Sequence, residues 1–446
     1  MMSMVRCAPT CIAALLAGAL SACGSIGNDQ AAQSRSISDG APSGTRWVSA
    51  WAAAPYGPFP LGPLTGVAPV DPLALTAVTL AQDQQAHDQS FRMIVRATIG
   101  GVRLRVHLSN LVGDRPLTLS SVRADHRLTG PAVIPVGGQA LTFGGQPGVT
   151  IPPGGEAISD AAAFVVGAGD ELSISYHVVG DSGPMTWHAV SFGLNYVGPP
   201  GVDVTGDPSG AAFAAQPTVG WFFLNAVDVA AADSSGAIVA FGDSITDGAY
   251  EVPESNTRWP DFLWQRLQSA AIPMGVVNEG INSNTVTPAR DGAAGPAAVL
   301  RFDRDVLGRA SARALVLFEG TNDLTSGVKA AEIYAGLQDL IGRAHAAGLC
   351  VVLGTIMPRD DLIFGWNRAT MESERQALNA LIRGDRNVEG IADFDAVMGD
   401  PVDGSHPNPV YYSPDLLHPT TLGFYIMANA VPLEALVPPP AGRCSR

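Results

Sequence analysis

The chain has 446 residues, 46% hydrophobic and 15% charged, which is ample for large cores and argues against disorder, while the length predicts two or three domains. A formal charge of −15, or −16 once residues 1–22 with Arg6 alone are set aside, disfavours nucleic acid and anionic lipid headgroups as partners. Lysine occurs once, at Lys329, among 50 glycines and abundant alanine, the imprint of a G+C-rich genome rather than of a function.

At the N-terminus, Arg6 precedes an apolar run over 11–22 that is too short to cross a bilayer as a mature helix, so residues 1–22 read as a signal peptide. Leu20-Ser21-Ala22-Cys23 is similar to a bacterial lipobox. It predicts Cys23 as a lipidated first residue, an extracytoplasmic address and attachment to a membrane through that lipid; plain cleavage after Ala22 and secretion is the alternative. Residues 23–45 are small and polar, the composition of a flexible tether.

Over 46–232 the texture is β-like. Segments 91–98, 102–108, 117–124, 164–166 and 172–178 alternate or are rich in β-branched residues, between Gly, Asn and Asp punctuation. They predict an antiparallel β-sandwich. Over 233–440 the texture changes. Apolar runs at 237–241, 274–278, 314–318, 350–355 and 390–394 alternate with helical patterns near 258–269, 297–309, 329–347, 366–384 and 420–437. Such alternation predicts an α/β domain, a parallel sheet covered on both faces. Cys350 and Cys444 either pair in an oxidising compartment or stay free thiols. No cysteine has zinc-site spacing and no H-E-x-x-H stands in the chain, so the sequence implies no metal.

Two segments carry the chemistry. The run at 237–241 leads into Gly242-Asp243-Ser244-Ile245-Thr246-Asp247-Gly248, a serine at the carboxyl end of a strand. Far downstream, Asp415-Leu416-Leu417-His418-Pro419 sets a carboxylate and an imidazole three residues apart. A serine becomes an effective nucleophile when a base takes its proton and an acid holds the tautomer of the base. Ser244, Asp415 and His418 therefore predict a serine ester hydrolase. Asn278-Glu279-Gly280 and Gly320-Thr321-Asn322-Asp323 each follow a predicted strand, at the sheet end where ligand crevices lie. The N–H of Ser244, the N–H of Gly280 and the amide of Asn322 make the predicted oxyanion hole. Taken singly, each residue has a plainer role as a cap, a turn glycine or a loop carboxylate. His406 also follows an acid, Asp403, by three residues, so spacing alone leaves two candidate bases.

Together the four segments resemble the SGNH (GDSL) hydrolase family, whose blocks carry Ser, Gly, Asn and His in this order. The resemblance covers the chain from about residue 236 to the final helix. It implies a three-layer α/β/α domain similar to flavodoxin, hydrolysis of carboxylic esters through an acyl-serine, and His418 rather than His406 as base. No cofactor is implied. One departure stands at Ser283, where many relatives carry the second glycine of N-x-G-x-x-G. The added β-sandwich resembles bacterial acylhydrolases of this family and implies short-chain esters, acetylated carbohydrate among them. Lysophospholipids, thioesters and aryl esters are the alternatives within the same chemistry. A carbohydrate-binding surface protein with an inactive hydrolase half is the alternative of another class, and the intact set of Ser, Gly, Asn, Asp and His argues against it.

Two further motifs have plainer readings. Gly180-Asp181-Ser182-Gly183-Pro184 matches the text around a chymotrypsin-like nucleophile, with His107 and His126 upstream, yet a hairpin turn explains it. The run 301–305, Arg-Phe-Asp-Arg-Asp, reads as a helix face with internal ion pairs.

Overall fold

The five apolar runs of the C-terminal half lack polar alternation, which suits strands buried on both faces. The computed structural model describes residues 41–61, 83–215, 217–292, 294–361, 364–437 and Cys444. The predicted signal peptide, Cys23 and all but the end of the tether lie outside the described residues. The runs become strands Gly236–Gly242, Met274–Gly280, Ala312–Phe318, Cys350–Gly354 and Gly390–Ala392. All pair in parallel, in the order second, first, third, fourth, fifth. The chain thus reverses its direction of travel across the sheet beside Gly236–Gly242. At such a switch point the carboxyl ends of the strands open a crevice.

Helices Trp259–Ser269 and Thr421–Ala430 pack together, as do Ala330–Ala346 and Arg368–Gly384. Ala330–Ala346 shows why these segments are helical. Ile333, Leu337, Leu340, Ile341 and Ala344 fall on one stripe and are all buried, each large side chain contributing about 1.5–3 kcal/mol. Its first turn has no side-chain cap of its own. Glu374, from the partner helix, accepts the N–H of Ala330 at 3.0 Å instead. An aspartate at Leu337 would put a charge into the sealed core and break the pair.

Three elements differ from expectation. The helix expected over 420–437 stops at Ala430, because Pro432 lacks an N–H and pushes Val431 out of helical geometry (ψ 120°). The one expected over 297–309 is α-helical only over Ala298–Phe302 and widens into a π-turn over Asp303–Leu307. The strand expected at 164–166 makes only the isolated bridge Gly101↔Val166.

The N-terminal half is antiparallel. Thr45–Ala52, Leu224–Ala232, Leu104–Ser109 and Glu156–Ile158 form one sheet in that order. Asn195–Pro200, Gln85–Arg96, Glu171–Pro184 and Leu117–Thr129 run side by side through the second. Val48, Val106 and Val227 from the first sheet share a core with Met93, Ile174 and Leu119 from the second, a β-sandwich. Its residues also reach the α/β half. Thr98 Oγ1 accepts the N–H of Val276 at 3.0 Å, and Ser49 Oγ accepts that of Ala310 at 2.9 Å.

Cys350 is bonded to Cys444, with Cα atoms 4.7 Å apart across 94 residues. In the chain-entropy picture a loop of that size stabilises the fold by about 4–5 kcal/mol. Among the described residues no helix is long and apolar enough to cross a membrane.

Candidate active site

Strand Gly236–Gly242 ends where no side chain fits: a Cβ on Gly242 would overlap the carbonyl oxygen of Phe318 and the hydroxyl of Thr246. The chain then turns directly into a four-residue helix, Ser244–Asp247. Asp243 caps it, its carboxylate accepting the N–H of Ile245 at 2.9 Å. Ser244 thereby takes the first helical position, where a backbone N–H has no partner within the helix. Ser244 is buried there, 7% exposed.

His418 arrives from the loop before helix Thr421–Ala430. Its Nε2 lies 2.9 Å from Ser244 Oγ and its Nδ1 2.6 Å from Asp415 Oδ2. A carboxylate can only accept, so Nδ1 carries the proton and Nε2 is left to accept from the serine hydroxyl. The other oxygen of Asp415 accepts the N–H groups of Leu417 and His418 at 3.1 and 3.0 Å. Burial alone would raise the carboxyl; its bonds to the imidazole and to these two N–H groups outweigh that and hold it below the ordinary aspartate range. Tyr250 stacks on the imidazole at 5.3 Å between ring centres, and Phe364 meets it edge-on at 5.8 Å. His406, the other base candidate, lies on a half-exposed loop, with its Nδ1 2.5 Å from Asp360.

The expected oxyanion donors fare differently. Asn322 opens helix Thr321–Thr325. One amide hydrogen donates to Asn284 O at 2.9 Å, while Arg290 donates to its Oδ1 at 3.2 Å. Among the described residues no acceptor is seen for the second amide hydrogen. Gly280 does not match expectation, because its N–H donates to the side chain of Asn278 at 2.9 Å. What needs glycine there is packing: a Cβ would overlap the backbone of Asp247 in the serine helix. Asn278 also donates to Thr246 O at 2.6 Å. Ser283, standing where relatives carry glycine, keeps a left-handed φ of 64°.

Sequence reasoning missed what lies beneath. Arg301 keeps the internal ion pair expected of its segment, with Asp305 at 3.2 Å, but is fully buried. It donates to Gly242 O, Glu279 O and Asn284 Oδ1 at 2.9, 2.7 and 2.9 Å. One guanidinium thus ties together the loop before Ser244, the strand end at Gly280 and the turn that holds Asn322. Beside it lies Glu319, 3.9 Å away, whose burial pushes it upward, and near Glu319 burial also raises Asp323 and brings Asp243 to about 6. Two residues of the β-sandwich lean in as well. Tyr56 donates to Asn282 O at 3.2 Å, and His188 Nε2 lies 3.1 Å from Asp247 Oδ1. They touch these loops across 226 and 59 residues of chain, and nothing local marks them. Ser182, in the protease-like text, sits at a bulged strand end rather than a hairpin turn. Its hydroxyl accepts the N–H of Ala86 and donates to Gly183 O. His107 is held instead by Glu156 and Asp228.

Residues 240–425 match the GDSL-like lipase/acylhydrolase family. Among solved structures, the chain is similar to a GDSL-like lipase from Bacteroides thetaiotaomicron (22% identity, 44% of this chain and 84% of that one, TM-score 0.34). It is similar also to a lipase/acylhydrolase from Enterococcus faecalis (20%, 44% and 92%, 0.34) and a carbohydrate acetylesterase from Sinorhizobium meliloti (16%, 44% and 95%, 0.34). No curated protein matches the chain.

Proposed function

Residues 240–425 form a domain of the GDSL-like lipase/acylhydrolase family, and on that premise we propose that the protein hydrolyses carboxylic esters through an acyl-serine at Ser244. The observation that carries this reading is the continuous relay from Ser244 Oγ to His418 at 2.9 Å and on to Asp415 at 2.6 Å. Ser244 Oγ attacks the acyl carbonyl as its proton passes to His418 Nε2. The carbonyl oxygen becomes an oxyanion facing the N–H of Ser244 and the Asn322 amide. The intermediate collapses, and His418 returns the proton to the departing alcohol. Water, deprotonated by the same imidazole, then cleaves the acyl-serine and regenerates the hydroxyl.

The substrates proposed are small-acyl esters, acetyl first, including acetylated carbohydrate. The deep serine and the Tyr250 and Phe364 rings around His418 support a small group at the reacting centre. A panel of p-nitrophenyl esters of increasing chain length, with acetylated xylan and lysophospholipid beside it, tests this. Ser244→Ala should abolish hydrolysis and Ser182→Ala should leave it nearly intact. Turnover preserved in Ser244→Ala would sink the reading, and preference for long acyl chains would sink the substrate class. We also propose export with anchoring through Cys23, an address that the Cys350–Cys444 bond supports. A Cys23→Ala variant that still fractionates fully with membranes would remove that anchor.

A further inference from the structure

Arg290 is a half-buried cation at the end of a short 3₁₀ turn, Pro288–Arg290. No local sequence signal singles it out. Its Nη1 donates to Asn322 Oδ1 at 3.2 Å, and its Nε donates to Ser326 Oγ at 2.9 Å, one turn further along the same helical segment. A side-chain amide can be turned end for end with little change of shape, and only its partners decide which end points where. Here both ends are decided. The oxygen faces a guanidinium and the nitrogen faces the carbonyl of Asn284. Turning the amide over would set an NH₂ against a cation and an oxygen against an oxygen.

Resting on the proposed role of Asn322, we infer that Arg290 is a positioning residue for the oxyanion donor. Its cation locks the Asn322 amide with a hydrogen toward the reacting carbonyl and polarises that N–H, so the bond to the developing oxyanion strengthens. Arg290 need not touch the substrate, and its effect should fall on turnover rather than on binding. The charge is fixed in place before the reaction begins, which is the condition under which a dipole stabilises a transition state without reorganising.

The test uses the full-length chain with p-nitrophenyl acetate under conditions where acylation limits turnover. Arg290→Met, Asn322→Ala and the double variant are compared for kcat, KM and melting temperature. Arg290→Met should lower kcat about 10- to 100-fold, short of the 10²–10³ typical of losing a donor outright, with KM changed less than about twofold. The double variant should be no slower than Asn322→Ala, because Arg290 acts only through that amide. Arg290→Lys, which keeps a cation on Oδ1, should recover most of the loss. Fully additive losses, a loss confined to KM, an unchanged kcat in Arg290→Met, or no recovery by lysine at a normal melting temperature would each overturn the inference. Wild-type turnover in Asn322→Ala would instead overturn the oxyanion reading, and this inference with it.

Discussion

Replacing Asp415 by Asn should disable the relay by changing which imidazole nitrogen carries the proton. One oxygen of Asp415 accepts two backbone N–H groups, from Leu417 and His418, and the other accepts His418 Nδ1–H. In the variant the amide oxygen must face the two N–H donors, which leaves the NH₂ against Nδ1. Nδ1 then becomes an acceptor and the proton moves to Nε2, which lies 2.9 Å from Ser244 Oγ. A protonated Nε2 cannot receive the serine proton. The expected loss is about 10⁴ in kcat, or about 5.5 kcal/mol of transition-state stabilisation. The fold should hardly change, since the two backbone bonds survive. Asp415→Ala frees the ring to take either tautomer, so it should keep more activity than Asp415→Asn despite leaving two buried N–H groups unpaired at about 1–3 kcal/mol each. The assay is kcat on p-nitrophenyl acetate, with melting temperature as the control. An Asp415→Asn enzyme within about tenfold of wild type, or one more active than Asp415→Ala, would refute the tautomer argument.

Arg301→Met should destabilise by about 3–5 kcal/mol, because it leaves three acceptors unpaired in the core, Gly242 O, Glu279 O and Asn284 Oδ1, at about 1–3 kcal/mol each, while Asp305 keeps Arg304; a thermal shift below roughly 3 °C would contradict this. His188→Gln should cost about 1.5–3 kcal/mol at pH 5.5 by removing a charge-assisted bond to Asp247. Burial opposes protonation of His188, yet the Asp247 charge raises it above the ordinary histidine value. The pair's contribution is therefore complete below about pH 6.5 and is lost as pH rises through the raised value, so a wild-type-to-variant gap in melting temperature that widens toward pH 9 would contradict it. Ser283→Gly should leave stability unchanged or raise it by up to about 1 kcal/mol, since relief of the left-handed backbone outweighs glycine's extra chain entropy; a loss larger than that in chemical denaturation would show the side chain anchoring the turn.

Much of this was legible from residues alone, for physical reasons. A parallel strand buried on both faces must be apolar throughout, so 237–241 and 314–318 announce themselves, and chain order carries Ser244, Asp415 and His418. The rest was hidden because depth leaves no local mark. Arg301 and Asp305 have the spacing of any exposed ion pair on a helix, and only the tertiary fold shows that Arg301 also reaches the carbonyls of two strand ends, Gly242 and Glu279, and the side chain of Asn284. Gly280 reads from sequence as an oxyanion donor or a turn glycine, and only the fold shows that what requires glycine there is the close approach of Asp247. At the last helix the apolar pattern runs on to 437, but Pro432 outweighs it and the helix stops at Ala430.

The bond from Val276 to Thr98 bears on solubility as well as on shape. Met274–Gly280 is the outermost strand of the parallel sheet, paired through its length on one side only. An open strand flank is a template for association with another chain. The β-sandwich meets that flank with Thr98 and with Ile99, which lies against Gly275. Expressed without residues 45–232, the α/β half would present an uncovered strand edge over Met274–Gly280, apolar in its first four residues. Such a fragment should aggregate by strand-to-strand stacking before any question of its activity arises.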